Sequence, residues 1–435
     1  MNTQAEAPSI GLRYNNALKV LQGFLSKKMA INTVVNPNWI GESDCFWYIR
    51  DSKGGKEFRL VDAKAVTNES AFDHQTLATA LADVSAQMVD ANNLPFSVID
   101  LCTESSTICF KAFDKCWEFD SQKGGCKEKP ELPGSDGVLS PDGEMAVFSK
   151  GSDLWLRDIP SGKERALTSD GEEDFVYGGP GTAWGSSMGC GLQVLWSPDS
   201  QRIFTVQRDT RQVEALPVLH HVPRDGSIRP HVTHHKFAYP GDEHVETLRL
   251  LTIDIATGKQ QSVDYEQIPV TRNSWGFFVA NLGWWHRDSQ CAYFVDVDRY
   301  YKYARVVEFD AATGKTKVLF EETSDTQINM MANGDMWPSF VPLPDSNELL
   351  WYSERSGWAH LYLYALDTGE LKNQITQGEW LVREVVAVNA QRREVFIQTG
   401  CRTPGRNPYY RDLMKVNIDT GDKLILASSN HDYFV

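Results

Sequence analysis

The sequence predicts an all-β protein, a β-propeller of seven or eight four-stranded antiparallel blades. Its turns recur. Ser140-Pro141-Asp142-Gly143 returns as Trp196-Ser197-Pro198-Asp199-Ser200, and Asp254-Ile255-Ala256-Thr257-Gly258-Lys259 returns as Asp310-Ala311-Ala312-Thr313-Gly314-Lys315. The turn glycines Gly162, Gly258, Gly314, Gly369 and Gly421 fall 96, 56, 55 and 52 residues apart, so the last three intervals are one repeat each and the first holds an expanded unit. The aromatic load of 13 Trp, 15 Tyr and 20 Phe in 435 residues suits stacked sheets that must fill a ring. A blade alone exposes an apolar face, and stacking blades hides that face while shielding strand edges.

The elements follow in order. Residues 1–30 read as an N-terminal helical arm, with Tyr14, Leu18, Leu21 and Leu25 on one side of a helix over Leu12 to Leu25. Residues 31–435 then read as the propeller, one body by default. Phe46 to Ile49 and Phe58 to Val61 have strand character around the Gly54-Gly55 turn, the first hairpin of the series. Residues 71–91 interrupt it, with Leu77, Leu81, Val84 and Met88 at spacings of three and four, which predicts an outer amphipathic helix over Asp73 to Asp90. Strands resume at Ile108 to Phe113, Cys116 to Phe119, Met145 to Ser149 and Leu154 to Asp158. The excess of the expanded unit, residues 213–246, is rich in His and Pro and reads as a protruding hairpin arm.

A formal charge of −15 repels polyanions, so nucleic acid and anionic membrane are not expected partners. No apolar run approaches the ~18 residues of a membrane-spanning helix. The start, Met1-Asn2-Thr3-Gln4, carries no signal segment, which favours the cytoplasm or a leader already trimmed. Cys102, Cys109, Cys116 and Cys126 crowd one hairpin-like stretch without the paired spacing of a zinc site, and free thiols are preferred to disulfides there.

Gly185-Ser186-Ser187-Met188-Gly189 matches a nucleophile elbow literally, but that chemistry requires a strand, a strained turn and a helix. This stretch instead runs into Gln193-Val194-Leu195-Trp196, a strand, so it reads as a Gly-rich connection. His231-Val232-Thr233-His234-His235, near His220-His221, lacks a carboxylate or Cys at ligand spacing and reads as a polar hairpin. No metal or other cofactor is expected. Arg208-Asp209-Thr210-Arg211 reads as a local ion-pair network, and Glu172-Glu173-Asp174 as a wet acidic loop. Paired carboxylates of a glycoside hydrolase form a competing class, because 58 acidic residues always place some pair near the axis.

Three blocks carry a family resemblance: Thr168 to Tyr177, Leu195 to Ser200, and Ser353-Glu354-Arg355-Ser356-Gly357-Trp358-Ala359-His360-Leu361-Tyr362-Leu363-Tyr364, the most specific. Together they resemble the N-terminal propeller of dipeptidyl peptidase IV and its bacterial relatives in the prolyl oligopeptidase family of serine peptidases. Ala71-Phe72-Asp73-His74 and Arg224 to Pro230 are similar to the bacterial members in particular.

The resemblance implies a substrate-gating and substrate-docking domain that precedes an α/β-hydrolase domain with Ser, Asp and His. That catalytic half is not found in this sequence, so the chain alone is not expected to cleave peptides. Its implied partners are peptide substrates, the hydrolase domain, and a second copy in a homodimer of the full-length protein. Dipeptidyl members place two glutamates after an aromatic residue in the segment resembling Thr182 to Ser187, where they clamp the peptide amino terminus. Here Ser186 and Ser187 stand near that place, and neutral hydroxyls hold an ammonium more weakly. Tyr177, Trp184, Ser186 and Ser187 are therefore the expected substrate-side wall. Trp337, beside Met336, resembles a ligand-contacting position and reads equally well as core. The alternative is a stand-alone propeller acting as a protein-interaction scaffold.

Overall fold

The computed structural model describes residues 10–25, 31–32, 35–41, 43–52, 54–102, 106–129, 137–179, 191–222, 226–270, 282–329 and 340–432. Packing divides the chain into two compact units, Met1–Leu132 and Pro133–Val435. Seven four-stranded sheets account for the strands apart from one extra hairpin and two added short strands, and every described pairing is antiparallel. The fold is all-β, a seven-bladed β-propeller, with two helices among the described residues.

The first unit holds two blades and both helices. One blade runs Asn38–Trp39, Cys45–Ser52, Gly55–Asp62 and Thr67–Ser70; the other runs Ile99–Cys102, Thr107–Ala112, Lys115–Asp120 and Gly125–Lys129. Phe113 is not in a strand as its apolar character suggested. It shares a tight turn with Asp114, both at positive φ of 54° and 59°.

The leading helix spans Ile10–Leu25. The second spans His74–Ser85, and Asp73 caps it by accepting from the backbone amides of Gln75 and Thr76. Leu77 and Leu81 join Trp47, Phe58, Trp117 and Phe119 in the core of this unit. The helix stops short of the expected Asp90 because Ala86 takes a left-handed conformation as C-cap. Met88, the last residue of the expected stripe, is consequently outside the helix and solvent-exposed. His74 Nε2 accepts from the Phe58 amide at 2.9 Å, a role open to the neutral ring, and burial lowers its pKa accordingly.

The second unit holds five blades. The third runs Val138–Leu139, Met145–Lys150, Asp153–Asp158 and Glu164–Ala166. The fourth has Phe175–Tyr177 and Val194–Trp196 sharing the inner position against Arg202–Asp209, followed by Thr247–Asp254 and Gln260–Ser262, with Ile268–Pro269 added. The fifth runs Gly283–Trp285, Cys291–Val297, Tyr303–Asp310 and Thr316–Thr323. Val341–Leu343, Glu348–Ser353, His360–Ala365 and Leu371–Gln374 form the sixth, and Leu381–Asn389, Glu394–Gly400, Asp412–Asn417 and Lys423–Ala427 the seventh. Within residues 213–246, Ala215–His220 pairs only with Lys236 to His231 as a separate hairpin.

The repeated turns persist because each one joins neighbouring blades. Trp196 Nε1 donates to the Val138 carbonyl at 2.9 Å, and Trp285 Nε1 repeats this one blade on, donating to Leu195 at 3.0 Å. The Asp142 amide donates to Ser200 Oγ, and the Asp199 amide to Ser289 Oγ, again one blade apart. In the Asp-x-x-Thr-Gly turns, Asp254 and Asp310 each accept from the amide and hydroxyl of the threonine three residues on. The Gly314 carbonyl then accepts from the Asp264 amide of the preceding blade at 2.7 Å.

Candidate functional site

Among the described residues of the fourth, fifth and sixth blades, the inner strand next to the first turn pairs along only part of the second strand. Val194–Trp196 covers Ile203 to Thr205, Gly283–Trp285 covers Ala292 to Phe294, and Val341–Leu343 covers Glu348 to Leu350. In the fourth blade the chain leaves at Gly178 and returns at Gln193. There the Gly178 amide donates to Val206 and the Gln193 amide to the Gly178 carbonyl, pinning the two ends together. Gly178 and Gln193 thus close one end of the inner position, the excursion end of the blade, and the described chain resumes just before the inner strands of the fifth and sixth blades, at 282 and 340. The seventh blade differs, its inner strand Leu381–Asn389 pairing along the whole second strand.

At this end of blades four to seven the second strand carries a buried polar residue at one equivalent position: Gln207, Asp296, Ser353 and Thr399. Their partners directly across on the third strand are Arg249, Arg305, His360 and Asp412. The blade cores are therefore apolar along most of their length and polar where the excursion departs. Buried polar groups are costly unless partnered, and most of these are partnered. Arg249 donates to Gln207, Tyr265 Oη donates to Asp296 at 2.8 Å, and Ser353 donates to Glu322. The Thr399 hydroxyl, the Gln398 amide and Gln207 Nε2 are buried with no hydrogen-bond partner among the described residues.

Tyr177 sits in this layer. Its side chain is fully buried, and its hydroxyl donates to Asp170 Oδ1 at 2.8 Å, lies 3.0 Å from Gln260 Oε1 and accepts from Arg249 Nη2 at 3.3 Å. Burial and then the Asp170 carboxylate push its pKa up to about 12, so it acts as a neutral donor. Trp184, Ser186, Ser187 and Trp337 lie outside the described residues, as does the literal elbow pattern at 185–189. Glu172 and Glu173 are exposed in the turn before Phe175.

The Ser353 to Tyr364 block is a scaffold around one arginine. Arg355 donates to Ser353 Oγ at 2.9 Å and Tyr364 Oη at 2.7 Å, pairs with Glu322, and stacks on Tyr362 at 4.5 Å. Trp351 Nε1 donates to the same Glu322 at 2.7 Å. Glu322, Ser324, Asn329, Glu354 and Arg355 help line a polar cavity of about 280 Å³ at the same end as the excursion. His360 is buried, bridging Thr376 Oγ1 at 3.0 Å and the Gly378 carbonyl at 2.9 Å.

Elsewhere the local readings take definite form. Arg211 pairs with Asp209 and stacks on Phe175 at 3.9 Å, whereas Arg208 instead faces Glu246 at 3.5 Å. On the hairpin, the His220 and His231 rings stack at 4.8 Å, and Thr233 Oγ1 lies 2.9 Å from both His220 and His235. Cys45, Cys109, Cys116, Cys126, Cys291 and Cys401 are free thiols.

Glu246, at the foot of the hairpin, has a definite pH signature. Burial pushes its carboxyl from an ordinary 4.5 up to about 7, with Arg208 pulling the other way. The folded state thus binds this proton more tightly than the unfolded chain. Stability from this group is intact below about 4.5 and is lost as pH rises through about 7. We expect Glu246→Gln to flatten the urea midpoint against pH across that window, and an unchanged slope would refute the assignment.

Fold and site together define a propeller blade array with a polar layer at one end of its fourth to seventh blades. The chain belongs to the family of the dipeptidyl peptidase IV (DPP IV) N-terminal region, whose model matches residues 104–434. It is 23% identical over 266 residues to the probable dipeptidyl peptidase 4 of Emericella nidulans, covering 59% of this chain and 33% of that protein. The probable dipeptidyl peptidase 4 of Aspergillus flavus is 24% identical over 287 residues, with coverage of 62% and 35%. The crystal structure of Porphyromonas gingivalis dipeptidyl peptidase 4 superposes with a TM-score of 0.64 at 14% identity, over 94% of this chain and 55% of that one. The chain thus spans about a third of the length of the curated relatives it matches and about half of the solved one.

Proposed function

We propose that this chain is the substrate-docking and substrate-gating propeller of a dipeptidyl peptidase IV-like serine exopeptidase, acting beside a separate α/β-hydrolase domain that supplies the nucleophile. The observation that carries the reading is the buried polar layer at the excursion end of blades four to seven, in a chain whose family is that of the DPP IV N-terminal region. An extended peptide has unpaired backbone groups, and the open polar cavity beside that layer, lined by Glu322, Ser324, Asn329, Glu354 and Arg355, offers partners for them. Tyr177 lies a few residues before Trp184, Ser186 and Ser187 in the chain, and we assign these, with Trp337, to the peptide side. By orienting the peptide, the propeller raises its effective concentration at the nucleophile.

The amino terminus meets Ser186 and Ser187 in place of a glutamate pair, so the requirement for a free amine is relaxed. Calorimetric titration of the 435-residue chain with a Gly-Pro-leading hexapeptide, free and N-acetylated, tests this. We expect both to bind, with acetylation weakening binding by less than ~10-fold, the least that a lost charge-assisted hydrogen bond costs. Gly-Pro-4-nitroanilide should not be turned over by the chain alone. Binding of neither peptide would favour an interaction scaffold, and turnover abolished by Ser187→Ala would place catalysis in this chain.

A further inference from the structure

The turn between the first two strands of the fifth blade departs chemically from its repeats. In the third and fourth blades this turn is Ser140-Pro141-Asp142 leading to Met145, and Ser197-Pro198-Asp199 leading to Arg202. The serine Oγ donates to the aspartate at 2.6 Å in both. The fifth blade keeps the backbone. Ser289 has a φ of 61° where Ser200 has 60°, and the Gln290 amide donates to Asp288 at 2.9 Å as the Gln201 amide does to Asp199 at 3.1 Å. Two side chains change together: His286 stands where the serine was, and Cys291 where Met145 and Arg202 were.

The result is a gathered donor set. His286 Nδ1 lies 2.8 Å from Asp288 Oδ1, and the imidazole nitrogen, carboxylate oxygen and Cys291 sulfur all lie within 4.8 Å of one another. Ordinary zinc bonds of ~2.0–2.3 Å place ligand atoms ~3.3–3.8 Å apart, so small side-chain rotations close the set. The backbone that carries it is pinned on both sides, by Trp285 Nε1 on Leu195 and by Ser289 Oγ accepting from the Asp199 amide. His286 and Cys291 are half-buried and Asp288 is exposed, which leaves a path from solvent.

We propose that His286, Asp288 and Cys291 form a three-ligand site for a zinc-class divalent cation, with the fourth position open to water or an external ligand. Mixed nitrogen, sulfur and oxygen donors select such a borderline ion over Ca²⁺ or Mg²⁺, which need oxygen shells. Binding forms the sulfur–metal bond as the Cys291 thiol gives up its proton to solvent. The site lies at the opposite end of the blade from the excursions, so it stands or falls independently of peptide docking.

Titrating the chain with Co²⁺ and then Zn²⁺ tests it. One equivalent of cobalt should give a thiolate charge-transfer band and intense four-coordinate ligand-field bands, both removed by zinc. His286→Ala and the near-isosteric Cys291→Ser should each weaken zinc binding by ~100-fold or more, beyond what loss of an outer-shell partner costs. The hairpin variant His231→Ala/His235→Ala should bind as the wild type does, with circular dichroism confirming the fold of each. Absence of the thiolate band at one equivalent would overturn the proposal. So would binding that survives both ligand substitutions and disappears in the hairpin variant.

Discussion

Gly314→Ala should destabilise the chain by about 2–4 kcal/mol, while Gly258→Ala at the same place in the preceding repeat should cost about 1–2 kcal/mol. Both glycines sit at positive φ, 73° and 72°, so each alanine carries the left-handed strain. Their surroundings differ. A Cβ on Gly314 would be driven into the Ser262 carbonyl of the neighbouring blade, against which this turn packs through its bond from the Asp264 amide. A Cβ on Gly258 would meet nothing nearer than the flexible Arg165 guanidinium at 3.8 Å. Urea midpoints at constant m-value read the difference. Equal costs would mean that the repeated turn is kept for its own conformation and not for blade contact.

The second large effect lies in an ion network built on one buried carboxylate between the sixth and seventh blades. Glu348 is almost fully buried and pairs with Lys372 of its own blade and with both Nη atoms of Arg393 from the next, while Arg393 also holds Asp419 at 2.6 Å. Removing one partner of such a network leaves uncompensated charge, and Glu348→Gln should cost about 3 kcal/mol, the low end because Arg393 keeps Asp419. Burial alone would raise the Glu348 carboxyl, but hydrogen bonds from Arg393 and Lys372 outweigh it and hold the pKa below its ordinary 4.5. A depressed folded pKa stabilises above that value and is lost as pH falls below it. The variant should therefore lose stability at neutral pH and lose less than the wild type on further acidification. Indifference at pH 7 would show that the network contributes no net stability.

The sequence reached the blade architecture because the turns must be repeated in type to do their work. Trp196 and Trp285, or Asp254 and Asp310, make the same bonds one blade apart, so their chemistry recurs at a readable interval. Seven blades could not be told from eight because the helix at His74–Ser85 and the hairpin at Ala215–Lys236 break the spacing. The helix end was overrun because Val84 and Met88 keep helical periodicity while Ala86 turns the backbone left-handed.

The polar layer was missed for a different reason. Gln207, Asp296, Ser353 and Thr399 share a position, yet their residue types differ and their partners come from strand register, which spacing alone does not reveal. The Arg355 block was legible as a motif, but its work is to hold Glu322 beside a cavity while resting on Tyr362 and Tyr364, and the Glu322 contact comes from 33 residues away in sequence.

Hydrogen exchange of the chain with and without the Gly-Pro-leading hexapeptide tests the docking end most directly. The proposal predicts slowed exchange at 206–209, 295–298 and 324–329, around the excursion end of blades four to six, and no change at the outer turns 254–258 and 310–314. Protection confined to those outer turns, or none anywhere at saturating peptide, would contradict it.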